Sequence, residues 1–313
     1  MASDPDASAA ALLTVDLSKV YAGGVRALDG VSLAVRRGEV FGLLGQNGAG
    51  KTTLIRILLD MIRPTGGRGE IMGLDVQRDA VEARRHVGYL PSSPEFYAQM
   101  NARQLVTLIA GIRGQQPDPE YLASLIDRLA LDTERRVRTL SRGNQQKVGL
   151  VLALMSKPDV VILDEPTTGL DPVMQETVLD LVREIAADGR TVFFSSHIMH
   201  EVEALCDRVA VLRAGALVGI FDLAEQRRLA PRQVTVHFGA TVPAQALEGI
   251  AGADLVQAEG TRAVFTVTDG VDGLVKRIAA FPVVEIEAHE PTLEEYFFAL
   301  YGATDDVPDG SPR

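Results

Sequence analysis

Tryptophan is absent from this 313-residue chain, and aromatic residues of all kinds make up only 5% of it. With Ala, Gly, Val and Leu dominant, the mix suits helices alternating with buried parallel strands better than a β-sandwich. Cys206 is the sole cysteine, which excludes an internal disulfide and leaves no argument for an oxidising compartment. Long apolar runs are missing too. Val148 to Met155 and Leu105 to Ile109 fall far short of the ~20 residues that a membrane-spanning helix requires, so any membrane role is expected to be peripheral. Met1 to Ala10 carries Asp4 and Asp6 where an export signal needs positive charge, and it reads as a disordered tail. Positive charge is scarce overall: the formal net charge of -11 opposes electrostatic capture of nucleic acid or anionic lipid. The basic cluster Arg135-Arg136-Val137-Arg138 reads as a solvated loop or helix end.

What is present is enough apolar residue, 46%, to build a core, over a length of about two domains. Leu12 to Leu17 and Val31 to Val35 alternate as strands with one covered face. Val40 to Leu44 is continuously apolar, as in a central strand, and leads through a Gly-rich turn into a helix striped by Leu54, Ile55, Leu58 and Met61. Pro64 and Gly66-Gly67 are read as the end of that helix. From Ser92 to Arg138 only helical patterns appear, which predicts an inserted helical lobe. Val160 to Leu163, Glu176 to Ala187, Thr191 to Ser195 and Val209 to Leu212 resume the alternation, the last being read as the final strand of the domain.

After about Asp222 the order is strand Gln233 to Phe238, helix Ala244 to Ile250, strand Arg262 to Thr268, helix Leu274 to Ala280 and strand Val283 to Ile286. Read as strand, helix, strand, strand, helix, strand, this order predicts a small α+β accessory domain of ferredoxin-like type over 222–302. It is followed by a final helix, Thr292 to Tyr301, and a polar tail from Ala303. The fold class is therefore α/β with an inserted helical subdomain and a second, smaller domain.

The run Gly45-Gln46-Asn47-Gly48-Ala49-Gly50-Lys51-Thr52 matches the phosphate-loop pattern, in which glycines let backbone N–H groups close around phosphates at a helix N-terminus. Gly45, Asn47, Gly48, Ala49, Gly50, Lys51, Thr52 and Thr53 are the candidate nucleotide-binding residues there. Lys51 suits the β- and γ-phosphates and the Thr52 hydroxyl suits Mg²⁺. Val160 to Glu165 ends a buried strand on two carboxylates: Asp164 suits Mg²⁺ and Glu165 suits the attacking water. Ser141, in Leu140-Ser141-Arg142-Gly143-Asn144, is a natural helix cap. Its hydroxyl, the Gly143 backbone and the helix dipole also suit a second phosphate clamp.

These segments, with Asp164-Glu165-Pro166-Thr167-Thr168-Gly169-Leu170-Asp171 and His197 in that order and spacing, resemble an ATP-binding cassette (ABC) transporter ATPase over about residues 12 to 220. The resemblance implies the P-loop NTPase core of that type and ATP with Mg²⁺ as cofactors. It implies roles for Tyr21 as the ring that stacks on adenine, for Asp171 in communication across a dimer, and for His197 as the switch residue at the γ-phosphate. His197, Lys51 and Glu165 are thus the candidate catalytic set. His200 and Glu201 beside His197 invite a metal reading, but His200 is expected on the next helix, facing solvent or a neighbour.

Ser92 stands where the family usually has Gln, and Arg142 and Asn144 replace the commoner Gly and Gln of the signature. With the segment Pro291 to Phe297, this variant resembles the exporter-type subfamily that includes drug and antibiotic systems. The resemblance further implies a homodimer, or a heterodimer with a related ATPase. It implies an integral membrane permease as partner, no nucleic acid, and a location at the cytoplasmic face of a bacterial cell membrane. A soluble cassette acting on ribosomes or DNA is the rival. It is opposed by the charge, by the single phosphate loop, and by the absence of a long coiled coil inside the cassette.

Overall fold

The computed structural model describes residues 10–229, 232–268 and 270–289, and the chain divides into two compact units, Met1–Leu223 and Ala224–Arg313. The first unit opens with β1 (Ala10–Val20), β2 (Arg26–Arg36), β3 (Val40–Leu44) and α1 (Lys51–Leu58), followed by β4 (Gly66–Ile71) and β5 (Leu74–Asp75). Strands β2, β1, β4 and β5 form an antiparallel sheet in that order. After α2 (Ala80–Arg85) and β6 (Val87–Leu90) come α3 (Ala102–Arg113) and α4 (Pro119–Arg128), then α5 (Arg142–Leu154), β7 (Val160–Asp164), α6 (Pro172–Ala187), β8 (Thr191–Ser196), α7 (Met199–Leu205), β9 (Arg208–Arg213) and β10 (Ala216–Asp222).

The second sheet runs β10-β9-β3-β8-β7-β6, parallel except for its β10 edge. Every residue of β3 and β7 is buried, as expected for strands covered on both faces. Because β3, β7 and β8 are parallel, their C-terminal ends share one edge: Leu44 pairs with Ser196 and Asp164 with Ser195. Helices that follow parallel strands leave a crevice at that edge. The topology thus gathers the phosphate loop, the acidic pair and His197 from three distant stretches of chain.

Several local expectations change. Helix α1 stops at Leu58, Met61 lies beyond it and is 56% exposed, and Gly66-Gly67 open β4 rather than closing the helix. Ala10 belongs to β1, not to a tail. The strand over Val209 to Leu212 is not the last, since the chain turns through Ala214, at φ 48°, and Gly215 into β10. Within segment 92–138 the regular elements are helices, joined by turns and loops, with an isolated bridge between Asn101 and Arg136. Helix α3 starts at a capping box formed by Asn101 and Gln104, and α4 starts at Asp118 followed by Pro119. Both are strong N-terminal signals, because side-chain oxygens satisfy first-turn N–H groups.

The second unit holds β11 (Arg232–Phe238), β12 (Ala253–Glu259), β13 (Arg262–Val267), α9 (Asp272–Ile278) and β14 (Val283–His289), while α8 (Leu223–Leu229) spans the division. Its antiparallel sheet runs β12-β13-β11-β14 around Val234, Val236, Phe265, Leu274 and Ile278. That is the ferredoxin-like order with the first helix reduced to a 3-10 turn, Ala244–Leu247, where a helix to Ile250 was expected. Gly249 sits at φ 68°, a backbone conformation that stops a helix. The expected helix Thr292 to Tyr301 and both tails, Met1 to Pro5 onward to residue 9 and from Ala303, lie outside the described residues.

Candidate nucleotide-binding site

Between β3 and α1 the chain passes through Gly48 at φ 84° and Gly50 at φ 108°, conformations that side chains disfavour. A Cβ on Gly50 would lie 2.5 Å from the Ala27 carbonyl, and one on Gly45 would lie 2.7 Å from that of Leu212. Both glycines therefore answer a close backbone approach as well as a turn. Gly50 caps α1 without a side-chain bond, so the first-turn N–H groups are not taken by a capping side chain and suit an anion. A cleft of about 150 Å³ is lined by the loop from Gln46 to Thr53 with Ala27 and Glu165.

Lys51 is only 5% exposed. Its Nζ donates to the Gly45 carbonyl at 2.6 Å and to that of Gln46 at 3.4 Å, and lies 3.4 Å from Glu165 Oε1. The Asp164 carboxylate is fully buried and takes one hydroxyl on each oxygen: Thr52 at 3.0 Å on Oδ2 and Ser195 at 2.6 Å on Oδ1. Burial, then the charge of Asp164, pushes the half-buried Tyr89 phenol up to about 12, so it stays a neutral hydroxyl. Glu165 adopts φ 52°, rare for a residue with a Cβ and typical of functional sites. Its N–H is held by the Ser195 carbonyl at 3.1 Å and Oγ at 3.2 Å. His197 Nδ1 lies 3.4 Å from the Glu165 oxygen that faces Lys51. Lys51, Glu165 and His197 thus converge beside the Thr52–Asp164 pair.

Tyr21 is 37% exposed, with its hydroxyl 3.4 Å from Thr53 Oγ1 and the Lys19 ammonium 5.2 Å from its ring centre. Ser141 caps α5, accepting from the Asn144 backbone N–H at 3.3 Å and its Nδ2 at 3.1 Å. Asp171 caps α6 through the Met174 N–H at 3.0 Å. Gly143 abuts the loop after β7, since a Cβ there would lie 2.6 Å from the Gly169 carbonyl. Ser141, Gly143 and Asp171 are not among the residues that line the cleft, and neither are Tyr21, Gly45, Asp164 and His197.

Three residues support this arrangement through contacts that the sequence does not assign to them. Ser195 bridges the acidic pair. Gln146 is 1% exposed and donates from Nε2 to the carbonyls of Glu165 and Pro166. Glu201 is 2% exposed and takes the Ser196 hydroxyl at 2.7 Å, while that hydroxyl oxygen accepts the Ile198 N–H at 2.9 Å. The chain around His197 is thereby braced. His200 lies on α7. Among the described residues no cluster of three His, Cys, Asp or Glu could hold a metal by itself, and no helix is long and apolar enough to cross a membrane.

Residues 28–168 match the ABC transporter family. An uncharacterized ABC transporter ATP-binding protein of Nostoc sp. is 40% identical over 66% of this chain, and this chain spans 65% of that relative's length. The daunorubicin resistance ATP-binding protein of Streptomyces coeruleorubidus is 35% identical, over 93% of this chain and 96% of its own. A solved structure described as the ATP-binding subunit of an ABC transporter has a TM-score of 0.63 and 32% identity, covering 69% of this chain and 92% of its own. A fold whose sheet edge joins the phosphate loop to the acidic pair, with the Streptomyces relative matched over 96% of its own length, gives the identification: the chain belongs to the ATP-binding proteins of the ABC transporter family.

Proposed function

We propose that this chain binds and hydrolyses MgATP on the loop 45–53, as the ATPase subunit of a membrane transporter of the exporter kind. The observation that carries the reading is the convergence of Lys51, Glu165 and His197 over the loop glycines, with Thr52 and Asp164 alongside. The loop N–H groups and Lys51 bind the phosphates. Glu165 orients the attacking water in line with the leaving phosphate oxygen, and His197, beside the same Glu165 oxygen that faces Lys51, holds the γ-phosphate. A hydroxyl and a carboxylate, both hard oxygen donors, meet at Thr52 and Asp164. That donor set fits Mg²⁺, which takes one or two protein ligands and completes its shell with water and phosphate. Thr52 and Asp164 would hold the ion, which would supply neutralisation of phosphate charge.

The phosphate loop 45–52 and the signature Leu140 to Asn144 each occur once in the chain. That count supports a head-to-tail dimer in which each signature closes the nucleotide site of the other subunit. Release of phosphate then reopens the interface.

An apolar groove of about 710 Å³, lined by Met61, Tyr89, Phe96, Tyr97, Leu105, Leu108 and others from the first unit, supports docking of an intracellular loop of a permease beside the helical lobe. Such docking would hold the chain at the cytoplasmic membrane face. The drug-resistance role in the name of the Streptomyces relative supports export. The C-terminal unit serves this reading as a dimer-stabilising module.

The test is to purify the tagged chain from gently solubilised native membranes and identify what accompanies it in stoichiometric amount by mass spectrometry. A multi-spanning membrane protein supports the transporter reading; recovery with ribosomes or DNA alone would overturn it. Tyr97 is 70% exposed and Met61 56%, so Tyr97→Glu and Met61→Glu are expected to fold and bind ATP normally while losing the membrane partner. Co-purification checks this. Tyr21→Ala is expected to raise the KM for ATP about tenfold, since aromatic stacking on a base contributes ~1–3 kcal/mol. Tyr21→Phe should behave as wild type in the same assay, because the ring remains and the 3.4 Å contact to Thr53 is long for a hydroxyl bond.

A further inference from the structure

We infer that Gln146 is a positioning residue for Glu165, carrying the seating of the signature end of α5 to the carboxylate that orients the attacking water. The inference rests on the role proposed for Glu165 and adds the residue that sets its geometry. Glu165 occupies a left-handed backbone conformation, φ 52°, which persists only where its surroundings hold it. On the N-terminal side Ser195 takes its N–H. On the C-terminal side Gln146 Nε2 donates to the carbonyls of Glu165 and Pro166, both at 3.3 Å. The peptide that aims the Glu165 side chain is therefore clamped from a strand and from a helix.

A primary amide that is 1% exposed is an expensive choice for α5 unless its hydrogen bonds matter, since an apolar side chain would pack there without a desolvation penalty. Gln146 lies about one turn beyond Ser141 and Gly143, and a Cβ on Gly143 would already meet the Gly169 carbonyl at 2.6 Å. The start of α5 therefore packs directly against the loop after β7. Both Gln146 bonds, at 3.3 Å, are slightly longer than the usual N–H···O range of about 2.7–3.2 Å, so a small axial shift of α5 tightens or breaks them. When the signature of this chain seats on the γ-phosphate held by the other subunit, the same helix sets Glu165 over this chain's own nucleotide.

The test uses the full chain with Gln146→Met, which keeps the volume and removes the donor, and Gln146→Glu, which keeps the shape and faces the two carbonyls with oxygen. Displacing a reacting group slightly is enough to slow the chemical step strongly, so kcat should fall about tenfold in the first variant and further in the second. The KM for ATP should stay within about twofold, with the folded fraction unchanged by circular dichroism. In a Glu165→Gln background, single-turnover hydrolysis should respond to Gln146→Met by less than about twofold, because residues acting through one another are not additive. Unchanged kcat, an equal proportional loss in both backgrounds, or a loss that merely tracks unfolding would each overturn the inference. Wild-type turnover by Glu165→Gln alone would instead remove the role given to Glu165, whatever Gln146 does.

Discussion

Glu165→Gln is expected to bind ATP with near-native affinity, to hydrolyse it about 10²- to 10⁴-fold more slowly, the range that a positioned general base contributes, and to accumulate as an ATP-bound dimer. The substitution keeps the shape of a side chain that is 18% exposed and stands 3.4 Å from both Lys51 and His197, so packing and the left-handed backbone are retained. What disappears is the negative charge that draws a proton from the attacking water. The loop glycines, Lys51, Thr52 and Asp164 are left in place, and they are the groups assigned to binding. The phosphate chain should therefore be captured and not cut, and closure that depends on ATP alone should persist. Single-turnover hydrolysis with size-exclusion chromatography in the presence of ATP checks both halves. Turnover equal to wild type would remove Glu165 from the chemistry.

Lys51→Ala is expected to lose both turnover and affinity, which sets it apart from the first variant. The Lys51 ammonium is buried against the Gly45 and Gln46 carbonyls and the Glu165 carboxylate, a cluster of partial and full negative charge that only a cation reconciles. Removing one partner of such an arrangement leaves the other charge uncompensated in a poorly solvated place. A phosphate chain entering the loop would then face Glu165 without the intervening cation.

Loss of one preorganised donor to developing charge lowers turnover about 10²- to 10³-fold, and the missing charge-assisted bond to phosphate should weaken nucleotide binding by about tenfold or more. Lys51→Arg should not restore activity, because a planar guanidinium does not substitute for a compact ammonium. Titration with a fluorescent nucleotide, beside steady-state hydrolysis, is the check; wild-type turnover in Lys51→Ala would contradict the assignment.

Much of this site is legible along the chain because its parts are local. The apolar run into Gly45, the glycines before Lys51 and the carboxylate pair closing β7 each need only a few consecutive residues, and hydrophobic period and turn chemistry act over that distance. The helix cap at Ser141 is legible in the same way, since a side chain reaches N–H groups only two or three residues ahead, and Asn101, Asp118 and Asp171, given no such role by the sequence, cap their helices by the same reach. Where local reading failed, an unexpressed neighbour was responsible. Met61 fits a helical stripe by spacing yet lies outside α1, and Gly66-Gly67 read as a stop although pairing with β1 draws them into β4. Strand β10 went unread because Gly219 interrupts its pattern, and pairing with β9 decides its state.

The sequence by itself determined the α/β alternation, the phosphate loop, the acidic pair and the Ser141 cap, all set by contacts within a few residues. Only the tertiary structure decided that Ser195 would hold Asp164 and Glu165 together. It likewise decided that Gln146 would reach the Glu165 and Pro166 carbonyls, and that Gly45, Gly50 and Gly143 would each meet a distant carbonyl, on Leu212, Ala27 and Gly169. The physical reason is that a hydrogen bond or a close approach between remote segments depends on which strands pair and in what register, and residue type leaves that choice open until the sheet forms.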